Sequence, residues 1–559
     1  MHPELESVSD DYWETTLESS PTFATILGDH RFDDRVEDWS AEGEAREREA
    51  LLAIRARAAA IEEATLDGGD RVTRALLVDE IDDRVRLIDL AVAELRSDQM
   101  SGPVASYLTS AAQLAYPSPE AAAMAVERLR RLPDALDQAA QRFRDAAARG
   151  RTPARLSLAR SVNMVDAYLA SPLDHDPFVG VAGPADWVGE AEWREQLRDV
   201  VARVVRPGFD RLRTSLVDDL LPVARADDRA GLCWLDDGDE LYAALVATYT
   251  GLDVAADEIH RVGLEEIGQR LAAEYAELGG RVFGTDDPSA VMDRLRSDPG
   301  LRYTSADEVL EVATAALERA RAAMGHWFGR LPLAPCRIEP VPDVIAADVP
   351  PAYYFPPSAD GARPGTYFVN THEPHERNRF EAETIAFHEA IPGHHLQLAI
   401  ASELAGLPAF RRLGTGNTAF VEGWGLYAER LADEMGLYSS DEQRLGMLTA
   451  DSWRAGRLVA DSGLHALGWS RQRAIEWFTA NTPVAADTIA VEVDRYVGLP
   501  GQAVAYKLGQ RHLLALRRRA EAALGDHFDI RGFHDVVLGS GGVTPAVLTT
   551  NVEAWIATA

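Results

Sequence analysis

Lysine and cysteine are almost missing from this chain of 559 residues: Lys507 is its single lysine, arginine supplies the other cationic side chains, and Cys233 and Cys336 are its two cysteines. Two thiols cannot form a disulfide framework or a cysteine-rich zinc site, and they fit a reducing compartment. A metal, if one is held, must therefore be held by histidine and carboxylate. No apolar run approaches the roughly 18 residues that would cross a membrane. The first residues, MHPELESVSDDYWE, are acidic where an export signal is basic and then apolar, so a cytoplasmic protein is expected. Positive charge is also short: 90 acidic against 56 basic residues give a net charge of −34, which repels phosphate backbones and excludes nucleic acid as an expected partner. The lone lysine is either chance or a position that needs one compact, directed ammonium, which a planar guanidinium cannot replace.

What the chain has in abundance is helical text. Up to about residue 330, segments such as EAREREALLAIRARAAAIEEA and AAAMAVERLRRLPDALDQAAQRFRDAAARG repeat apolar residues every three or four positions. Capping residues precede these segments and Gly or Pro closes them, as with SPE before Ala121 and Gly150 after the long helix. No fixed period of 20 to 50 residues is present, so a solenoid is not supported. Residues 331–370 differ, being rich in Pro, aromatics and β-branched residues. Tyr353 to Phe355 and Thr366 to Asn370 read as two strands of a hairpin joined by a Ser-Ala-Asp-Gly-Ala-Arg-Pro-Gly loop. Its outer edge either hydrogen-bonds an extended peptide or walls a cleft. The expected division is a helical region over 1–330 and a catalytic region over 331–559.

Chemistry concentrates in FEAETIAFHEAIPGHHLQLA, residues 380–399, where metal-ligand residue types interrupt an apolar helix. In an HExxH helix, histidines four apart lie near one face and the adjacent Glu faces a water on the metal. Here His394 follows His388 by six residues, which on an ideal helix is about 120° off the face, and His395 returns to the face about 10.5 Å further along. Zinc needs nitrogens at about 2.0–2.1 Å, so the helix has to break between the histidines, and Pro392 and Gly393 supply the break. His394 is the preferred second ligand and His395 the alternative. A catalytic zinc takes three protein ligands and keeps one position open. Glu422, in TAFVEGWGLYAERLADEMG, is the candidate third ligand, Gly423 and Gly425 allow its helix to come close, and Glu429 could orient a ligand histidine. His372 and His375 read as loop or cap residues, and Trp424, Trp453 and Trp469 as core.

These segments, with SPTFATILGDHRFDDRVEDWS, PGTYFVN, FVEGWGLYAE, DSGLHALGWSRQRAIEWFTANT and EVDRYVGLPGQAVAYKLG, resemble a zincin-like bacterial family of unknown function with the signature HExxPGHH. More distantly the layout is similar to the gluzincin-type thimet oligopeptidase and carboxypeptidase Taq families. Their His-Glu pair, Gly-His pair and later Glu would fall on His388, Glu389, Gly393, His394 and Glu422, with two extra residues between the histidines as the departure.

The resemblance implies a mainly α, two-lobed, zincin-like metallopeptidase body with a small sheet beside a deep cleft. It also implies one Zn²⁺, or another divalent ion, with Glu389 as the general base that takes a proton from activated water. Similar enzymes stabilise the oxyanion with a tyrosine or histidine. Tyr506 is the first candidate and His465, oriented by Asp461, the rival. Arg495, Tyr496 and Lys507 are candidate substrate contacts. Three functions follow: a peptidase of short peptides, a hydrolase of another small amide, or a helical scaffold stiffened by a closed four-ligand metal.

Overall fold

The computed structural model describes residues 1–343, 345–346, 349–357, 363–414 and 416–559. The repeated three- and four-residue apolar spacing produces a mainly helical chain with one small sheet, and the chain divides into two compact units. The first comprises Met1–Ala244, Leu464–Gln472 and Asp494–Pro500; the second comprises Leu245–Gly463, Arg473–Val493 and Gly501–Ala559. These units are drawn by contact, and their first division, at 244/245, differs from the division near residue 330 expected from composition. Periodicity reports that a segment is helical but not which helix it packs against, and the helices before 330 are shared between the units. Among the described residues no helix is long and apolar enough to cross a membrane.

In the first unit, α1 (Pro119–Ala148) starts with Pro119 at its first position and the Ser118 hydroxyl accepting the Ala121 N–H at 3.1 Å. Its buried stripe, including Leu129, Leu132, Leu136 and Phe143, packs with Phe209 and Leu212 of α2 (Arg206–Ser215). Each such side chain contributes about 1.5–3 kcal/mol by leaving water. Gly208 lets α2 pass the proline inside α1, because a Cβ there would lie 2.9 Å from the Pro133 Cβ.

The second unit is built on a chain of helix pairs. The helix α3 (Ala306–Trp327) packs on α4 (Ala382–Glu389), which in turn meets α6 (Thr418–Glu434). The short α5 (His394–Ser402) follows α4, and α6 packs along α7 (Ala505–Leu524). The buried Glu383 of α4 pairs with Arg319 of α3 and accepts the Ser439 N–H at 2.8 Å, which fixes α4 in place. Close approach of α6 and α7 requires glycine on both sides. A Cβ on Gly423 would lie 2.5 Å from the Gly509 carbonyl carbon, and one on Gly509 would lie 1.9 Å from the Ala419 oxygen.

The sheet has the order β1-β3-β2, with β1 at Cys336–Pro340, β2 at Ala352–Phe355 and β3 at Gly365–Val369. The antiparallel pairing of β2 with β3 places Tyr354 opposite Tyr367, as the hairpin reading expects, while residues 358–362 of its loop lie outside the described residues. The strand β1, parallel to β3, is an addition: CRIEP is too polar and too short to announce itself. Among the described residues β2 has no strand on its other side, and it packs against α4, while β3 packs against α5.

Candidate metal centre

The helix does break where the ligand distance demands it. The first segment, α4, ends at Glu389, Ala390 leaves helical geometry with φ −102° and ψ −102°, and α5 begins at His394. The Ile391–Pro392 peptide is cis. At Gly393 a Cβ would lie 1.9 Å from the His388 carbonyl oxygen and 2.4 Å from that of Phe387, so only glycine fits the looped-out turn. The Trp424 indole N–H donates to the carbonyls of Pro392 at 3.0 Å and Gly393 at 3.3 Å, holding the turn from α6. Reading Trp424 as core is therefore incomplete: it is fully buried, but its polar edge ties the loop that places the second histidine.

This loop brings the His388 and His394 rings to 4.6 Å between centroids, nearly perpendicular at 84°. Glu422 Oε2 lies 3.6 Å from Nε2 of each histidine, and the three donor atoms all lie within 4.8 Å of one another. Ligands at about 2.0–2.1 Å from a tetrahedral ion are about 3.4 Å apart, so the Glu422 distances match the edges of one tetrahedral face. The donor set, two imidazoles and a carboxylate, fits a divalent ion such as zinc with a coordination position to spare. Gly425 makes the arrangement possible, since a Cβ there would lie 2.5 Å from the His388 Cε1.

Three carboxylates act on His388. Its Nδ1 donates to Glu429 Oε1 at 2.8 Å in a buried pair, which leaves the Nε2 lone pair for the site. Burial opposes charging this ring, yet Glu422, Glu429 and Glu389 together push it up to about 10. Burial alone would raise the Glu422 carboxyl, but His388 and His394 hold it well below the usual carboxylate range. The cluster therefore favours positive charge at its centre. His394 Nδ1 is buried with no hydrogen-bond partner. Glu389 is half-buried beside His388 and makes no hydrogen bond or ion pair among the described residues.

His395, the alternative ligand, is turned away from the trio. Its Nδ1 shares a hydrogen bond with the Tyr354 hydroxyl at 2.9 Å, and burial pushes the ring down to about 4. It ties α5 to the sheet. Lys507 is not a substrate contact: it is 1% exposed and its ammonium meets Asp451, Gln510 at 2.7 Å and Glu266 at 3.5 Å. Arg430 and Arg270 share the same Asp451. A compact ammonium fits among three oxygens where a guanidinium fork does not, which accounts for the surviving lysine.

His465, Arg495 and Tyr496 belong to the first unit. His465 is fully buried, with Nδ1 accepting the Leu232 N–H at 3.2 Å and Nε2 donating to the Tyr496 carbonyl at 3.0 Å, so neither nitrogen is left to stabilise an oxyanion. Tyr496 is fully buried too, and the Arg495 guanidinium lies over its ring. Asp461 accepts the Gly501 N–H at 3.1 Å in place of orienting His465. Tyr506 is half-buried at the start of α7 under the Arg457 guanidinium, 4.5 Å from its ring centroid. His372 stays exposed in a loop, whereas His375 lies in the short 3-10 helix Pro374–Glu376 and bonds the Tyr303 carbonyl at 3.1 Å. Trp469 is buried in the first unit, whereas Trp453 lines a cavity of the second, a wall residue that helical spacing alone reads as core.

A family model for bacterial proteins of unknown function, DUF885, matches residues 21–552. A crystal structure of a candidate lipoprotein from Colwellia psychrerythraea is similar over 100% of both chains, with a TM-score of 0.90 and 25% identity. A candidate lipoprotein of unknown function from Shewanella oneidensis is similar over 98% of this chain and 99% of its own, with a TM-score of 0.78 and 19% identity. No curated protein matches the chain.

Proposed function

The chain belongs to the DUF885 family of bacterial proteins of unknown function, and from the geometry at His388, His394 and Glu422 we propose that it is a gluzincin-type zinc hydrolase that cleaves short peptides. The observation that carries the reading is the pair of 3.6 Å contacts from Glu422 to both histidines, with an uncommitted carboxylate, Glu389, next to them in sequence. A divalent ion held by these three residues would supply Lewis acidity to a carbonyl and to water.

The remaining work falls to the protein's own groups. Glu389 takes the proton from water and delivers it to the leaving amine, a role that needs a carboxylate free of other partners. Glu429 keeps His388 in one tautomer. Tyr506 is the proposed oxyanion donor, from a helix that packs on the one carrying Glu422. Peptide rather than other amide substrates are favoured by β2, an edge strand beside α4 whose open side could hydrogen-bond an extended chain. Among the described residues the cluster has three protein donors, not four, which favours an open site over a closed structural zinc.

The proposed compartment is the cytoplasm, on the strength of two free cysteines, Cys233 and Cys336. Fractionation tests it, and recovery with the membranes after lipid labelling would place the chain where the lipoprotein descriptions place its structural relatives.

The function is tested by incubating a mixed short-peptide library with the zinc-loaded protein and with its Glu389→Gln variant. Cleavage by the parent and a loss of about 10²-fold or more in the variant are expected. Intact peptides with both proteins would refute the peptidase.

A further inference from the structure

A second feature of the same unit bears on what the substrate must carry. Beside α4 lies a cavity of about 600 Å³. That volume falls within the range of small-ligand sites, about 300–1,000 Å³. Its walls include Ala382 and Ile385 of α4 and Tyr367 of β3. Positions 382, 385 and 389 share one helix face, and Glu389 stands about 6 Å beyond Ile385 along the axis, so the cavity leads along α4 toward the proposed general base.

The unmet hydrogen-bonding capacity of this wall belongs to donors. Arg302 Nη1 and the Trp453 indole nitrogen are buried with no partner. The hydroxyls of Tyr303 and Tyr367, residues 6% and 1% exposed, make no hydrogen bond among the described residues. Arg377 donates its Nε–H to the His372 carbonyl at 2.6 Å and has no ion pair among the described residues. Neither Arg302 nor Arg377 makes an ion pair among the described residues, although Glu373, Glu376, Glu381 and Asp487 also line the cavity. Buried donors left without acceptors call for a ligand that brings them.

The acidic residues of the wall do not supply that acceptor. Glu373, Glu376 and Asp487 are exposed and belong to the solvent side. Burial raises the Glu381 carboxyl above its ordinary value, against the lowering influence of Asn378, Arg454 and Arg302.

We propose that this cavity binds a carboxylate of the substrate, with Arg302 and Arg377 as its cationic contacts and Tyr303, Tyr367 and Trp453 as neutral donors. The carboxylate is either the peptide's own C-terminus or an Asp or Glu side chain. The inference rests on the peptidase reading for its substrate, but the donor geometry stands without it. Arg302 and Arg377 set specificity and take no part in bond cleavage.

The test is equilibrium binding to the zinc-loaded Glu389→Gln protein, which does not depend on turnover. Three tripeptide probes are compared: a neutral one with a free C-terminus, the same peptide as its C-terminal amide, and an amide carrying one Glu side chain. At least about tenfold tighter binding of a carboxylate-bearing probe over the neutral amide is expected, as for charge-assisted hydrogen bonds. The free-acid and Glu-amide probes tell terminus from side chain. Arg302→Gln and Arg377→Gln should reduce the preference to about threefold or less. Tyr303→Phe, which removes only a hydroxyl and guards against misfolding, should reduce it several-fold. Equal binding of all three probes, tighter binding of the neutral amide, or an undiminished preference in all three variants would overturn the site. Carboxylate preference with no peptide cleaved by the parent would sink the peptidase reading alone. Cleavage without carboxylate preference would sink only this inference.

Discussion

Glu429 accepts the Nδ1–H of His388 at 2.8 Å inside the protein, two turns along the helix that also carries Glu422. One helix thus supplies both a candidate ligand and the carboxylate that orients another, which fixes the imidazole before any ion arrives. Glu429→Ala should weaken zinc binding by about 10- to 100-fold, the usual effect of losing such a partner. Competition with a chromogenic chelator measures it, and unchanged affinity would show that His388 needs no orienting group.

Gly425 and the His388 ring cannot both be kept if a methyl is added. With a Cβ 2.5 Å from Cε1, Gly425→Ala has to displace the ring or the helix. The expected cost is about 1–3 kcal/mol in thermal or urea unfolding, together with loss of zinc. A variant that keeps both stability and metal would mean that α6 can move away from α4 freely.

Lys507 gives a contrasting outcome. Lys507→Met leaves buried carboxylates around Asp451 and Glu266 short of one cation, and should cost about 3–5 kcal/mol. Zinc content of the folded fraction should be unchanged, because the lysine touches none of the three donors. Reduced zinc in a fully folded variant would return Lys507 to the site.

Part of this was legible in the residues themselves. Zinc cannot reach two histidines six or seven apart on one straight helix, so the need for the Pro392–Gly393 break follows from bond lengths, while the choice between His394 and His395 stayed open until the fold turned His395 toward Tyr354. Glu422 and Glu429 were legible because a carboxylate needs a reason to sit in an apolar helix beside glycines. The rest depends on partners far along the chain. His465 stands near a plausible Asp461 in sequence, yet its ring nitrogens meet Leu232 and Tyr496. The oddity of Lys507 was visible, but its three oxygens come from separate segments. The unmet donors at Arg302 and Trp453 exist only once the fold has buried them, and the 244/245 boundary only once helices choose neighbours.

His534 predicts a pH effect on stability. Its Nε2 meets the Tyr427 hydroxyl at 2.8 Å and its Nδ1 donates to the Trp327 carbonyl at 2.7 Å. Burial pushes the ring down to about 3, so the folded state keeps it neutral while the unfolded chain protonates it near 6.5. Its contribution is complete above about pH 6.5 and is lost as pH falls toward 3, with a slope approaching 1.4 kcal/mol per pH unit. Urea unfolding between pH 7 and pH 4 should show His534→Gln less stable at pH 7 but with a shallower acid slope. An identical slope would mean that the ring is charged in the folded protein.

The central claim is that His388, His394 and Glu422 hold a divalent metal while His395 does not. Zinc content per folded chain, by elemental analysis of the parent, His394→Ala and His395→Ala after zinc loading and gel filtration, tests it most directly. About one zinc in the parent and in His395→Ala, with nearly none in His394→Ala, is the expected result. A parent that retains no zinc, or zinc lost from His395→Ala and kept in His394→Ala, would contradict the account.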